Sequence, residues 1–176
     1  MNADDFYERL LKPIEKQMIR TVARIVRDPD DVADVFQEVL VTIWHKLERI
    51  DCHPNPQAYI IRICVTRAYD ALRKKSRRRQ YEVRFSRFME LFLPARFGSP
   101  LQDSDQSAVV HGAIAMLPPR QGQAVLLRAI EGSSYHAIAD TLGCSEATAR
   151  SHFSKGKARL ATILMELGIS MKKGDA

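Results

Sequence analysis

The sequence predicts an all-α chain of two small helical domains joined by a flexible linker. Three observations carry that reading: apolar residues recur at helical spacing in almost every segment, no run alternates strictly enough to propose a strand, and residues 94–107 break the periodicity with Pro94, Gly98 and Pro100 among serines and acids. At 176 residues, 45% of them hydrophobic, the chain can bury one modest core or two small ones.

A first helix is expected from about Asp4 to Val26, with Leu10, Leu11, Ile14, Met18, Val22 and Ile25 on one stripe and a kink at Pro13. Asp28-Pro29-Asp30-Asp31 restarts the chain, since an Asp cap, Pro at the first helical position and acids in the first turn all favour a helix N-terminus. The second helix is expected to reach about Leu47. Asn55-Pro56 repeats the cap-and-Pro signal for a third helix, running through Ala68 and Leu72 into the basic run at Arg73 to Arg79 and as far as Arg87. Beyond the linker, Ala108–Met116, Pro119–Ile130, Ser134–Leu142 and Ser145–Leu164 read as four short helices. The fourteen linker residues reach at most ~46 Å, a little over one turn of duplex DNA, so domains so joined could touch one DNA at separate places.

Lys and Arg total 27 against 21 Asp and Glu, and the net charge of +6 favours a polyanionic partner. Residues 73–79 alone hold six of those basic groups. No stretch of eighteen apolar residues occurs, and the start MNADDF is acidic where a signal peptide is basic and then apolar. Membrane insertion and export are therefore not expected, and the cytoplasm is the expected location. Cys52, Cys64 and Cys144 are odd in number and lack a C-x-x-C pair, which speaks against a disulfide framework or a zinc site; no metal and no cofactor is expected.

Three constellations could carry function. On the second helix the inward stripe is read as Val32, Val35, Phe36, Val39, Leu40, Ile43, Trp44 and Leu47, which gathers Asp34, Gln37, Glu38 and Val41 on the opposite side. Taken alone such a patch is more often the ordinary solvated face of a helix than a site. The third helix is expected to bury Ile61, Cys64, Val65, Ala68 and Leu72 and to expose Tyr59, Arg62, Ile63, Thr66, Asp70, Arg73 and Arg77. Cations hold phosphates and an aromatic ring can stack on an unpaired base, although a basic helix end can also serve solubility alone. In the C-terminal part, Ala139, Gly143 and Ala149 have the spacing of a helix-turn-helix, with Ser134 and Ser145 as caps. Ala149, Phe153, Gly156 and Leu160 then fall inward, and Ala147, Arg150, Ser151, Ser154 and Lys155 face out, where a major groove could take them.

Asp30-Asp31-x-Ala33-Asp34-x-x-Gln37-Glu38-Val39 with Trp44, then Ala58-Tyr59-Ile60-Ile61-Arg62-Ile63 and Asp70-x-x-Arg73, resembles region 2 of the extracytoplasmic-function sigma factors of bacterial RNA polymerase. Leu117-Pro118-Pro119-Arg120-Gln121, Glu131-Gly132 and the helix-turn-helix to Leu160 resemble their region 4. The resemblance implies region 2 within residues 1–93, a linker at 94–107, region 4 within 108–166 and a tail at 167–176. It further implies that Asp34, Gln37, Glu38 and Val41 dock on the β′ clamp helices of core polymerase, with the β flap as a further polymerase contact of the chain. Asn55, Tyr59, Arg62, Thr66, Asp70, Arg73 and Arg77, with the loop Asp51 to Gln57, would open and read the minus-ten element. Ala147, Arg150, Ser151, Ser154 and Lys155 would read the minus-thirty-five element. Promoter DNA and an anti-sigma factor are the other implied partners, and no catalysis is. The chain departs from the usual pattern at Tyr59 (Trp in the family), Thr66 (Asn), Ala137 (Glu), Ala147 (Gly) and Ala149 (Val).

Two rivals make different demands. A stand-alone helix-turn-helix regulator would need a strand-containing receiver or ligand domain upstream, which residues 1–93 do not suggest. A nuclease using Asp34, Glu38 and Asp70 would need three carboxylates to converge from two helices.

Overall fold

The computed structural model describes residues 3–90 and 104–167, and every regular element among them is helical. Most of the expected linker and the tail beyond Leu167 lie outside the described residues. The first helix is broken as Pro13 demands. A short α1 (Ala3–Phe6) passes through a π turn (Tyr7–Leu11) and a 3-10 turn (Lys12–Ile14) holding Pro13, and then becomes α2 (Glu15–Val26). Leu10, Ile14, Met18, Val22 and Ile25 are buried along one stripe, and Leu11 is partly buried beside them.

The carboxylate of Asp28 accepts from the Asp30 amide and caps α3 (Pro29–Trp44), with Pro29 at its first position. This helix stops at Trp44, short of the expected Leu47. A break at His45-Lys46 starts the separate α4 (Leu47–Asp51), which carries Ile50 into the core at 0% exposure. No Gly or Pro announces that break. α5 (Pro56–Glu90) begins on the Asn55 cap, whose Oδ1 accepts from the Ala58 amide at 3.0 Å, and runs three residues beyond the expected Arg87.

α6 (Ser104–Ala115) starts inside the segment expected to be linker, since Ser104 and Asp105 are ordinary first-turn residues. α7 (Pro119–Val125), extended by a π turn to Ile130, leads to the pair α8 (Tyr135–Leu142) and α9 (Glu146–Glu166). One core of buried side chains runs from Phe6 through α5 to Leu142 and Ala149, so the two halves pack on each other. The seam lies between α5 on one side and α6, α7 and α8 on the other.

Candidate functional site

α3 presents the first candidate surface. Asp34, Gln37, Glu38 and Val41 are exposed, as its spacing suggests, but the buried stripe is narrower than expected: Val35, Val39, Thr42 and Ile43. Leu40 and Trp44, expected inside, face out at 40% and 61% exposure. The reason is Thr42, which takes the inward position by returning its hydroxyl to the Glu38 carbonyl at 2.7 Å and accepting from Arg67 Nε at 3.0 Å. A hydroxyl that meets both partners internally can be buried, and the helix rolls Leu40 and Trp44 to its flank. The outer face is therefore apolar as well as acidic.

Asp34 and Glu38 line one groove together with Asp31 and with Asp70 of α5. Lys74, Lys75 and Arg78 line the same groove. Among the described residues no group of three or more His, Cys, Asp or Glu could hold a metal ion. Lys75 joins Asp28 at 3.0 Å and Asp31 at 2.6 Å; the hydrogen bond from Lys75 depresses the exposed Asp28 carboxyl, and that to Asp31 raises the lysine.

The N-terminal half of α5 is the second surface. Tyr59 is half-buried, its ring 4.9 Å from that of His53 and 5.8 Å from the guanidinium of Arg49. Asn55 is occupied twice over, its side chain capping α5 and its amide donating to His53 Nδ1 at 3.0 Å. Arg62, Thr66 and Arg73 are half-buried, while Asp70 and Arg77 are exposed. Ile63, expected to face out, is buried at 6%, because the second half of the chain covers this side of the helix. Thr66 Oγ1 lies 3.5 Å from Gln123 Nε2, and Gly143 sits against the Arg62 guanidinium. Tyr69 was on neither expected face; at 0% exposure it is among the largest fully buried side chains of the described residues.

The third surface is the helix-turn-helix. Ser134 Oγ accepts from the Ala137 amide at 3.1 Å to start α8, Gly143 at φ +63° turns the chain, and Ser145 Oγ accepts from the Thr148 amide at 3.2 Å to start α9. Gly156 lets α9 cross α7 closely, since a Cβ there would stand 3.0 Å from the Gln121 carbonyl. Ala149 is fully buried and Phe153 and Leu160 partly so, leaving Ala147, Arg150, Ser151, Ser154 and Lys155 exposed on the outer side. Arg150 pairs with Glu146 and lies 4.4 Å above the Tyr135 ring, which Arg128 approaches at 4.9 Å. Tyr135 in turn packs edge-on against Phe153 at 6.0 Å. None of these aromatic supports was legible from the motif alone. The cysteines are free thiols, and burial pushes that of Cys64 up to about 12, which keeps it protonated and unreactive.

A helical module with an outward acidic and apolar face, followed by a helix-turn-helix, defines a two-part DNA-binding protein. Residues 10–78 match the family model for Sigma-70 region 2, and residues 107–160 match that for Sigma-70, region 4. The chain belongs to the sigma-70 family, among its extracytoplasmic-function members. It is 27% identical to the ECF RNA polymerase sigma factor SigE of Mycolicibacterium smegmatis, covering 90% of this chain and 61% of that relative. It is 26% identical to the RNA polymerase sigma-E factor of Streptomyces coelicolor, over 90% of this chain and 86% of the other. The sigma factor RpoE of Bartonella quintana, solved in complex with the anti-sigma factor NepR, is a structural neighbour with a TM-score of 0.51 and 26% identity over 93% of this chain and 98% of that one.

Proposed function

We propose that this chain is an alternative sigma factor that binds core RNA polymerase, brings it to a subset of promoters and assists strand opening without covalent chemistry or a cofactor. The carrying observation is the outer face of α3, where Asp34, Gln37, Glu38 and Val41 stand exposed beside Leu40 and Trp44. Exposed apolar side chains grouped on one face favour a protein partner, and the acids beside them favour a basic one. In this reading the face docks on the β′ clamp helices, residues 1–93 act at the minus-ten element, residues 94–107 link, and residues 108–166 act at the minus-thirty-five element and the β flap.

Tyr59, Arg62, Thr66, Arg73 and Arg77 supply the minus-ten contacts, and Ala147, Arg150, Ser151, Ser154 and Lys155 the upstream ones. Asn55 acts by fixing the start of α5, and Asp70 borders the groove of Asp34 and Glu38. The likeness to a sigma factor crystallised with an anti-sigma factor favours such a partner here too. No helix among the described residues is long and apolar enough to cross a membrane, and the proposed work with polymerase favours the cytoplasm as its location. The test is to mix the protein with sigma-free core polymerase: a stable complex starting transcripts at defined sites is expected, and core that gains no defined start sites overturns the reading.

A further inference from the structure

Arg67 holds a position on α5 that the minus-ten assignment does not use. Its neighbour Thr66 turns toward Gln123 on one flank of the helix, and Arg67, about 100° further round, turns to Thr42 of α3 on another. Nε of Arg67 donates to the Thr42 hydroxyl at 3.0 Å, and that hydroxyl is itself fixed by the Glu38 carbonyl at 2.7 Å. The side chain is half-buried, yet its two Nη groups reach the surface, and they meet no partner among the described residues.

Internal partners were on offer. Asp70 is three residues on along α5, and Glu38 is one turn before Thr42 on α3, but neither carboxylate pairs with Arg67 or with any other described residue. At the far end of the same two helices, which run antiparallel, Lys75 is taken up by Asp28 at 3.0 Å and Asp31 at 2.6 Å. The cation at that end is neutralised within the chain, and the one at this end is not. The bond to Thr42 accounts for the difference, because it commits Nε to a neutral acceptor and leaves the outer edge of the guanidinium facing out.

A guanidinium so held is a preordered donor. Its outer edge offers two parallel N–H groups that match a carboxylate, and much of the ordering cost of a long side chain is already met. It also borders the α3 face, where Asp34 and Glu38 favour a basic protein. One cation among those acids matches an acid on the partner and disfavours any register that sets two cations together. DNA is the poorer fit. Asp34, Glu38 and Asp70 line the groove that starts one turn further along α5, and they repel a phosphate strand. A carboxylate on a basic protein surface arrives with cations that neutralise those acids.

We propose that Arg67 is a specificity-determining contact for polymerase docking: its outward Nη groups take a carboxylate on the polymerase surface that covers α3, and Thr42 is the positioning residue that aims them. This rests on the sigma reading above. It adds a contact from α5, of opposite charge to the α3 acids, to the docking face.

The test is affinity for sigma-free core polymerase without DNA, measured by competition against labelled wild-type protein, with unfolding midpoints to confirm that each variant is folded. Arg67→Met should weaken binding about tenfold. Thr42→Val keeps the shape and removes the hydroxyl, and should weaken binding about threefold by freeing the guanidinium. In an Arg67→Met background Thr42→Val should change nothing further, since it acts on the partner only through Arg67. Arg67→Lys keeps the stem and the charge but offers a point cation, so it should still bind about threefold more weakly than wild type. Wild-type affinity in Arg67→Met or in Arg67→Lys overturns the proposal. An equal effect of Thr42→Val in both backgrounds overturns its aiming role. Unchanged core affinity with slowed strand opening by Arg67→Met would assign the guanidinium to DNA instead. If the wild-type protein itself binds no core, it is the sigma reading that has failed.

Discussion

Tyr69 occupies the space that a side chain on Gly122 would fill: a Cβ there would overlap the Tyr69 hydroxyl and stand 2.5 Å from two of its ring carbons. Gly122 is inside α7, where glycine costs roughly 0.5–1 kcal/mol relative to alanine, and the ring accounts for its presence. Gly122→Ala should displace the hydroxyl from the Ile114 and Leu117 carbonyls and cost ~1–3 kcal/mol in denaturant unfolding. In a Tyr69→Ala background the same change should be neutral or mildly stabilising. Additive losses would show that the two residues do not share the space.

The face of α3 invites a paired comparison. Trp44, at 61% exposure, and Ile43, at 2%, are neighbours in sequence with opposite surroundings. Trp44→Ala and Glu38→Lys should each weaken binding to core polymerase while shifting folding stability by about 0.5 kcal/mol or less. Ile43→Ala should cost ~2–5 kcal/mol of stability. Core affinities unchanged in both surface variants, measured by fluorescence anisotropy, would remove α3 as the docking face.

How far the sequence could go is visible in these residues. Caps, prolines and the helix-turn-helix were legible because their signals are local: Asp28, Asn55, Ser134, Gly143 and Ser145 each act within a few residues of themselves. Trp44 and Leu40 were misplaced because hydrophobicity alone assigned them inward, whereas Thr42 satisfied its hydroxyl internally and took the inner position. Ile63 and Tyr69 were illegible for a different reason. Their burial is set by α6 and α7, tens of residues away, and periodicity within α5 carries no information about a second domain.

His111, on α6 at the same seam, should make stability depend on pH. Its ring is held below the usual histidine range, first by burial and then by the charge of Arg27, against a hydrogen bond to the Ile25 backbone that pulls the other way. Its Nδ1 is buried with no hydrogen-bond partner. A depressed folded pKa means that the contribution is present above the unfolded value near 6.5 and is lost as pH falls through the folded one. Glu131 runs the opposite way: burial raises its carboxyl despite Arg24 and Arg20, so its charged form costs most at neutral pH. Between pH 7 and 5.5 the unfolding midpoint of a Glu131→Gln protein should fall, and adding His111→Leu should flatten that fall. An equal decline in both proteins would assign the pH dependence elsewhere.

Arg150 is the side chain on which upstream recognition should turn. It is exposed on the outer face of α9, yet it is not loose: Glu146 one turn earlier pairs with it, and the Tyr135 ring lies 4.4 Å beneath its guanidinium. An ion pair on an exposed helix is worth ~0.3–0.5 kcal/mol, so its loss should barely change stability. What the pair and the ring do is limit the directions in which the guanidinium points, lowering the ordering cost when it meets a base edge. A bidentate contact to a base carries roughly 1–3 kcal/mol of discrimination. Arg150→Ala should therefore flatten the preference for one upstream base over its variants by about five- to 150-fold, with core binding unchanged. Tyr135→Leu should keep the same preferred base but weaken the preference less, because the contact survives while its support does not. Lys155→Ala is the contrast: a phosphate contact should weaken binding evenly across sequences and lower its salt dependence. The measurement is competition between upstream-element point variants for polymerase carrying each protein. A full preference retained by Arg150→Ala at every base would move recognition to Ala147, Ser151 or Ser154.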